Sequence, residues 1–163
     1  MKELSIETTH QKSLGAAAGS LGWTDRVVQH LGEQGHRMTG PRRQILERIL
    51  GYTIPFTAEE LVAELQATGV HVGRATVYRT LELLQTQQWL RLVHRVGGEH
   101  GYVVGEPGHQ HHLVCRSCGA VITFEGCDLQ HMLSGLAERL HFRIEGHWLE
   151  AFGMCRNCQL VHG

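Results

Sequence analysis

Gly73-Arg-Ala-Thr-Val-Tyr-Arg-Thr-Leu81 is the stretch whose reading decides the fold. Arg74 to Gln85 reads as a helix, with Val77, Leu81 and Leu84 recurring at helical spacing on one face. That places Arg74, Tyr78 and Thr76 on the other face, with Arg79 beside them. Upstream, three more helices are expected. Thr24 can cap one that carries Val27, Val28 and Leu31 and ends near Gly35. Pro41 suits the first turn of the next, whose stripe is Ile45, Leu46, Ile49 and Leu50. Thr57-Ala-Glu-Glu60 is a capping box for a third, with Leu61, Val62 and Leu65 inward and Gly69 as its stop. Downstream, Trp89 to Val96 reads as a strand, Gly97-Gly98 as a turn and Tyr102-Val-Val104 as the returning strand. Helices followed by a two-stranded hairpin describe a winged helix-turn-helix.

Such a unit places one helix in the major groove of DNA. Arginine can meet a guanine edge or a phosphate; Tyr and Thr can meet a phosphate or a thymine methyl. Arg74, Thr76, Tyr78 and Arg79 are the candidates for that helix. Arg37, Arg42 and Arg43 are candidates for backbone phosphates. A solvated helix face in a generic three-helix unit is the plainer alternative.

The chain then changes character. Glu106-Pro-Gly108 reads as a hinge, and His109-Gln-His-His112 runs into Cys115-x-x-Cys118. A second pair, Cys155 and Cys158, follows after 36 intervening residues. Two such pairs suit one tetrahedral zinc site closed to substrate. A redox pair or a disulfide staple remains the alternative. An odd cysteine set, with Cys127 left over and no export signal, favours metal and a reducing cytoplasm. Short strands are expected at His112–Cys115 and Ala120–Phe124. A helix capped by Asp128 carries Leu129, Met132, Leu133, Leu136 and Leu140, and a late strand runs from Phe142 to Phe152.

Composition sets the bounds. At 163 residues and 42% hydrophobic content the chain can pack a core, and no apolar stretch is long enough to cross a membrane. Net charge is −1, but unevenly spread. Residues 20–96 hold nine Arg against seven acids; residues 97–163 hold four Arg against seven acids, with eight of the thirteen histidines. The basic half suits phosphate, and the acidic, histidine-rich half suits cations. The expected organisation is α+β: a flexible arm over 1–20, a winged-helix domain over 21–104, a hinge over 105–108 and a small metal-binding α/β domain over 109–163.

Ala75-Thr-Val-Tyr-Arg79, then His112-x-x-Cys-x-x-Cys118 and Gly153-Met-Cys-Arg-Asn-Cys158, resemble the ferric uptake regulator (Fur) family in order and approximate spacing. The resemblance covers roughly residues 22 to 160 and leans toward the zinc uptake regulator type. It implies a homodimeric repressor, bound to palindromic operator DNA when loaded with divalent metal, with no small-molecule substrate and no membrane. Tyr78 and Arg79 match the family's DNA-contacting pair. Cys115, Cys118, Cys155 and Cys158 become the structural zinc site.

For the regulatory metal the resemblance implies His112 and the wing-strand His94, with Glu125 standing in for the usual carboxylate position, here Thr123. The usual second histidine is Gln110. The hinge ligand position is Gly105, with Glu106 beside it. A further family site is matched by His109, His111 and His147. Its fourth position is Gln130, with Asp128 or His131 nearby as replacements. Imidazole richness leans toward zinc, with iron(II) or manganese next. An iron-, manganese- or peroxide-responsive member of the same family is the alternative. More distant are a zinc hydrolase, which would need an open coordination position and a general base, and a metal-storage module. His100 and His141 are expected to be surface or core residues.

Overall fold

The computed structural model describes residues 21–126 and 129–162. The expected arm over 1–20, Cys127 and the Asp128 cap lie outside them.

Four helices and a hairpin make up the first part. α1 spans Trp23–Glu33, and its N-cap is Gly22, not Thr24. Trp23 is therefore helical, and it joins Val27 and Leu31 on one buried stripe. α2 spans Gly40–Ile49. The Thr39 hydroxyl accepts from Arg42 N and Pro41 sits in the first turn. α3 spans Ala58–Ala67, and both halves of the Thr57–Glu60 capping box form. The chain leaves it through Gly69 at φ +72°, a left-handed conformation that glycine adopts without strain. α4 spans Arg74–Thr86 and buries Val77, Thr80, Leu81 and Leu84.

β1 (Leu90–His94) and β2 (His100–Val104) form the antiparallel wing, with His94 opposite His100. Phe56 bridges to Tyr102 through two backbone hydrogen bonds of 3.1 and 2.7 Å. That close approach needs Gly101. A Cβ there would sit 2.8 Å from the Pro55 and Arg95 side chains. The core lies among the four helices and the base of the wing. It contains Trp23, Leu31, Ile45, Leu46, Leu61, Leu81 and Leu90, among others.

The second part is a three-stranded sheet. β3 (Gln110–Cys115) lies between β4 (Val121–Glu125), antiparallel, and β5 (Glu150–Gly153), parallel. α5 (Leu129–Leu140) makes the crossover, and α6 (Arg156–His162) ends the described chain. The expected late strand over 142–152 is much shorter. β5 pairs only with His112–Cys115, and residues 142–149 lie outside any strand or helix. A strand needs a neighbour to hydrogen-bond, and β3 starts only at Gln110. α6 was not expected; the second cysteine turn runs directly into it.

The two parts meet at the wing. Val93 and Val103 pack with Val114 of β3, and Val121 flanks them. Trp23 Nε1 donates to Gly105 O at 2.9 Å, Arg26 pairs with Glu106, and Arg91 donates to Gly108 O at 2.7 Å. The 105–108 segment is therefore held against α1 and β1.

Candidate metal centres and nucleic-acid interface

Cys115 ends β3, and the turn to β4 closes with Gly119 N donating to Cys115 O at 2.9 Å. The second pair arrives at the start of α6. Its Cys155 N–H donates to Cys115 Sγ at 3.3 Å. All four sulfurs lie within 4.8 Å of one another, and Cys118 Sγ is 3.7 Å from Cys155 Sγ. A disulfide would need about 2.0 Å. The edge of a zinc–thiolate tetrahedron with ~2.3 Å bonds is about 3.8 Å, which matches.

The sulfurs do not share their protons evenly. Donation from Cys155 N–H, against the effect of burial, brings the Cys115 thiol down to about 6. Cys118 is pushed up to about 12. The Ala120 N–H favours its thiolate, but burial and the neighbouring sulfurs outweigh that. Cys158 is also raised: Ser117 lowers it, and Cys155 overcomes this. Four thiolates this close repel one another unless a cation sits among them.

The second donor set is all imidazole. His109 and His111 alternate at the start of β3, and His147 reaches them from the stretch before β5. Their donor nitrogens all lie within 4.8 Å, with ring centroids 4.4 to 5.4 Å apart. His111 is fully buried. Its Nδ1 accepts Leu149 N–H at 3.1 Å, and its Nε2 has no hydrogen-bond partner among the described residues. Burial first, then His109 and His147, lowers its pKa, so the ring is neutral at pH 7. A buried nitrogen without a partner is costly, and a divalent ion bound among the three rings would remove that cost. Binding through Nε2 requires the ring proton to move to Nδ1, releasing the Leu149 amide. His131 lies exposed on α5 and is not part of this set.

The remaining candidates separate into pairs. His112 is nearly buried, and its Nδ1 lies 3.3 Å from Thr123 Oγ1. Burial, reinforced by Arg91 and opposed by Glu150, brings its pKa down to about 4. Glu125 is paired in register with Gln110 and accepts from Gln110 Nε2 at 3.4 Å. Glu106 is engaged by Arg26. His94 meets Glu150: its backbone N donates to Oε1 at 2.7 Å, and Nδ1 lies 2.8 Å from Oε2. The His100 ring is 4.4 Å from that of His94.

On α4, Arg74, Tyr78 and Arg79 are exposed and Thr76 is half-buried. The Tyr78 hydroxyl donates to Glu59 of α3, and Arg74 lies 3.5 Å from the same carboxylate. Arg74 also lies over the Tyr78 ring at 5.8 Å. Arg37 and Arg43 are exposed, whereas Arg42 spends a donor on Arg37 O at 2.6 Å. The face is thus polar and cationic, with one acid at its edge.

The family model of the ferric uptake regulators matches residues 33–152, most of the chain. The chain belongs to the ferric uptake regulator family. As a member it is a metal-responsive transcriptional regulator, not an enzyme. The ferric uptake regulation protein of Campylobacter upsaliensis is 30% identical over 136 residues, covering 82% of this chain and 87% of that protein. The zinc uptake regulation protein of Mycobacterium tuberculosis (strain CDC 1551 / Oshkosh) is 35% identical over 103 residues, covering 63% and 79%. A solved zinc uptake regulator in complex with zinc and DNA superposes with a TM-score of 0.70 at 24% identity, covering 85% of this chain and 94% of that one. At that identity the likeness is one of fold.

Glu150 and His100 stand against the candidate ligand His94, a placement that the sequence did not disclose. Glu150 gains its place from the β3–β5 register, which sets it beside His112. A strand expected to begin at Phe142 hides that register. His100 gains its place from pairing with His94 across the wing, and a returning strand that began two residues earlier would have shown it.

Proposed function

We propose that this regulator binds palindromic operator DNA as a homodimer when loaded with a divalent metal, zinc by preference. In that state it represses genes of metal uptake or homeostasis, in the cytoplasm. Residues 21–104 form the DNA-binding unit, 105–108 the joint and 109–163 the metal-binding and dimerisation unit. Cys115, Cys118, Cys155 and Cys158 hold a permanent structural zinc. The regulatory metal is taken by His109, His111 and His147 and by His94 with His112. Arg74, Thr76, Tyr78 and Arg79 read DNA, with Arg37 and Arg43 on phosphates.

The observation that carries the metal preference is the His109–His111–His147 set, three imidazoles with no carboxylate among the described residues that form it. Nitrogen donors favour zinc over manganese, which prefers oxygen. Iron(II) is the second reading, supported by the 30% identity to a ferric uptake regulation protein over 82% of the chain.

The test is DNA affinity measured while titrating zinc, iron(II) or manganese into protein that keeps its structural zinc. Zinc is expected to raise affinity at the lowest free concentration. Equal affinity with and without any metal would overturn metal dependence. A lower midpoint for iron(II) would replace zinc with iron.

A further inference from the structure

We propose that Glu150 is the positioning carboxylate of the sensory site: it fixes the His94 ring so that Nε2 faces the metal, and it transmits metal binding from the wing to the sheet. The inference rests on the metal-dependent reading above.

The carboxylate uses both oxygens on one residue. Oε1 accepts the His94 backbone N–H at 2.7 Å, and Oε2 lies 2.8 Å from His94 Nδ1. An ionised carboxylate only accepts hydrogen bonds, so Nδ1 must carry the proton. A neutral ring then has its lone pair on Nε2, the atom left for a metal. Metal-bound histidines commonly donate their other ring N–H to a carboxylate in this way. His112 is arranged alike, with Nδ1 against the Thr123 hydroxyl at 3.3 Å.

Position gives Glu150 its second role. It stands on β5 in register with His112 of β3, which in turn pairs with Thr123 of β4. Register partners project from the same face of a sheet, so Thr123, His112 and Glu150 form one row. From the end of that row Glu150 reaches out of the sheet to a residue of the wing. Its side chain is only 17% exposed, so the bond is partly sheltered from water. Neither other candidate acid does this, since Glu125 bonds to Gln110 and Glu106 to Arg26.

A cation on Nε2 withdraws electron density from the ring and makes Nδ1–H a stronger donor. The bond to Glu150 then becomes charge-assisted and tightens. Metal occupancy and the hold of wing on sheet are therefore linked, and each must strengthen the other equally. Among the described residues, the groups whose donor atoms already converge are the four cysteines and the His109 set. His94 stands on the wing and His112 on the sheet, so a metal held by both would tie the two parts together.

The test is Glu150→Gln, which keeps the shape and removes the charge, made in the wild-type and His94→Ala backgrounds. The free zinc concentration for half-maximal DNA binding is expected to rise ~10-fold or more, the usual loss for a second partner of a metal-bound histidine. In the His94→Ala background Glu150→Gln should add nothing, while zinc content at the cysteines stays the same. Imidazole nitrogen NMR of metal-free wild type should show His94 with its proton on Nδ1, and Nε2 should shift when zinc is added. Cadmium can serve as a second probe at the same atom. An unchanged midpoint, an equal loss in the His94→Ala background, or a proton on Nε2 would each overturn the role of Glu150. Absence of any zinc response in the wild type would overturn the metal-dependent reading, and the transmission by Glu150 with it.

Discussion

The helical part and the sheet part are held together by different means. The helical part has a continuous apolar core. Val27, Ile45, Leu46, Ile49, Leu61, Val77 and Leu84 are all fully buried. Among the described residues of the sheet part, those buried are Val114, Cys115, His111 and His112, and two of these are histidines. Several of its large apolar side chains face outward. Trp148 is 91% exposed, Leu160 77%, Phe142 66% and Leu140 65%. A unit of this size with so little buried apolar area needs a metal or a second chain to be stable. The first part can fold on its hydrophobic core; the second has to be completed.

The largest expected effect follows from that difference. Stripping metal from Cys115, Cys118, Cys155 and Cys158, or replacing Cys118 by Ser, should unfold the sheet part. Structural zinc sites in small domains contribute on the order of 10 kcal/mol, more than this thin core can replace. Far-UV circular dichroism should then show the helices persisting while the sheet signal and the dimer are lost. A single transition in which both parts melt together, with or without chelator, would break the comparison.

Leu81→Ala makes the converse change. Leu81 is 1% exposed between α4 and its neighbours, and truncating such a side chain costs ~2–5 kcal/mol. Thermal unfolding should show the transition of the helical part moving down. Zinc bound per chain, measured by a thiol-displacement assay, should not change. Loss of zinc in this variant would mean that the two parts stand or fall as one.

The same division governs what was legible in the sequence. Periodic apolar stripes and caps encode local structure, so Val77, Leu81 and Leu84 on α4 and the Thr57–Glu60 box were readable to within a residue or two. The cysteine pairs were readable because their spacing is itself the chemistry. What could not be read was strand register. The position of Glu150 beside His112 and against His94 depends on which residues pair across β3 and β5. The diversion of Glu125 to Gln110 depends on the register of β3 and β4. The family pattern placed a carboxylate on the β4 side of His112, where Thr123 stands. In the structure the carboxylate in register with His112 is Glu150, on the β5 side.

Acid sharpens the comparison further, because the sheet part buries histidines as neutral rings. His112 is brought down to about 4 by burial, against an ordinary value of 6.5, and burial also lowers His111. Between those values the unfolded chain binds a proton that the folded chain refuses, so stability rises with pH across the window. Read downward, the stability present above pH 6.5 is lost progressively as pH falls toward 4. For His112 alone the full loss is at most ~3.5 kcal/mol, at about 1.4 kcal/mol per unit. Urea unfolding at pH 7, 6 and 5 should therefore show the sheet transition shifting more than the helical one. Acid also releases zinc from thiolates, so His112→Gln is the control. It should flatten the part of the slope due to this ring while zinc release continues at the same pH. If His112→Gln left the slope as steep as in the wild type, the acid sensitivity would not belong to the His112 ring.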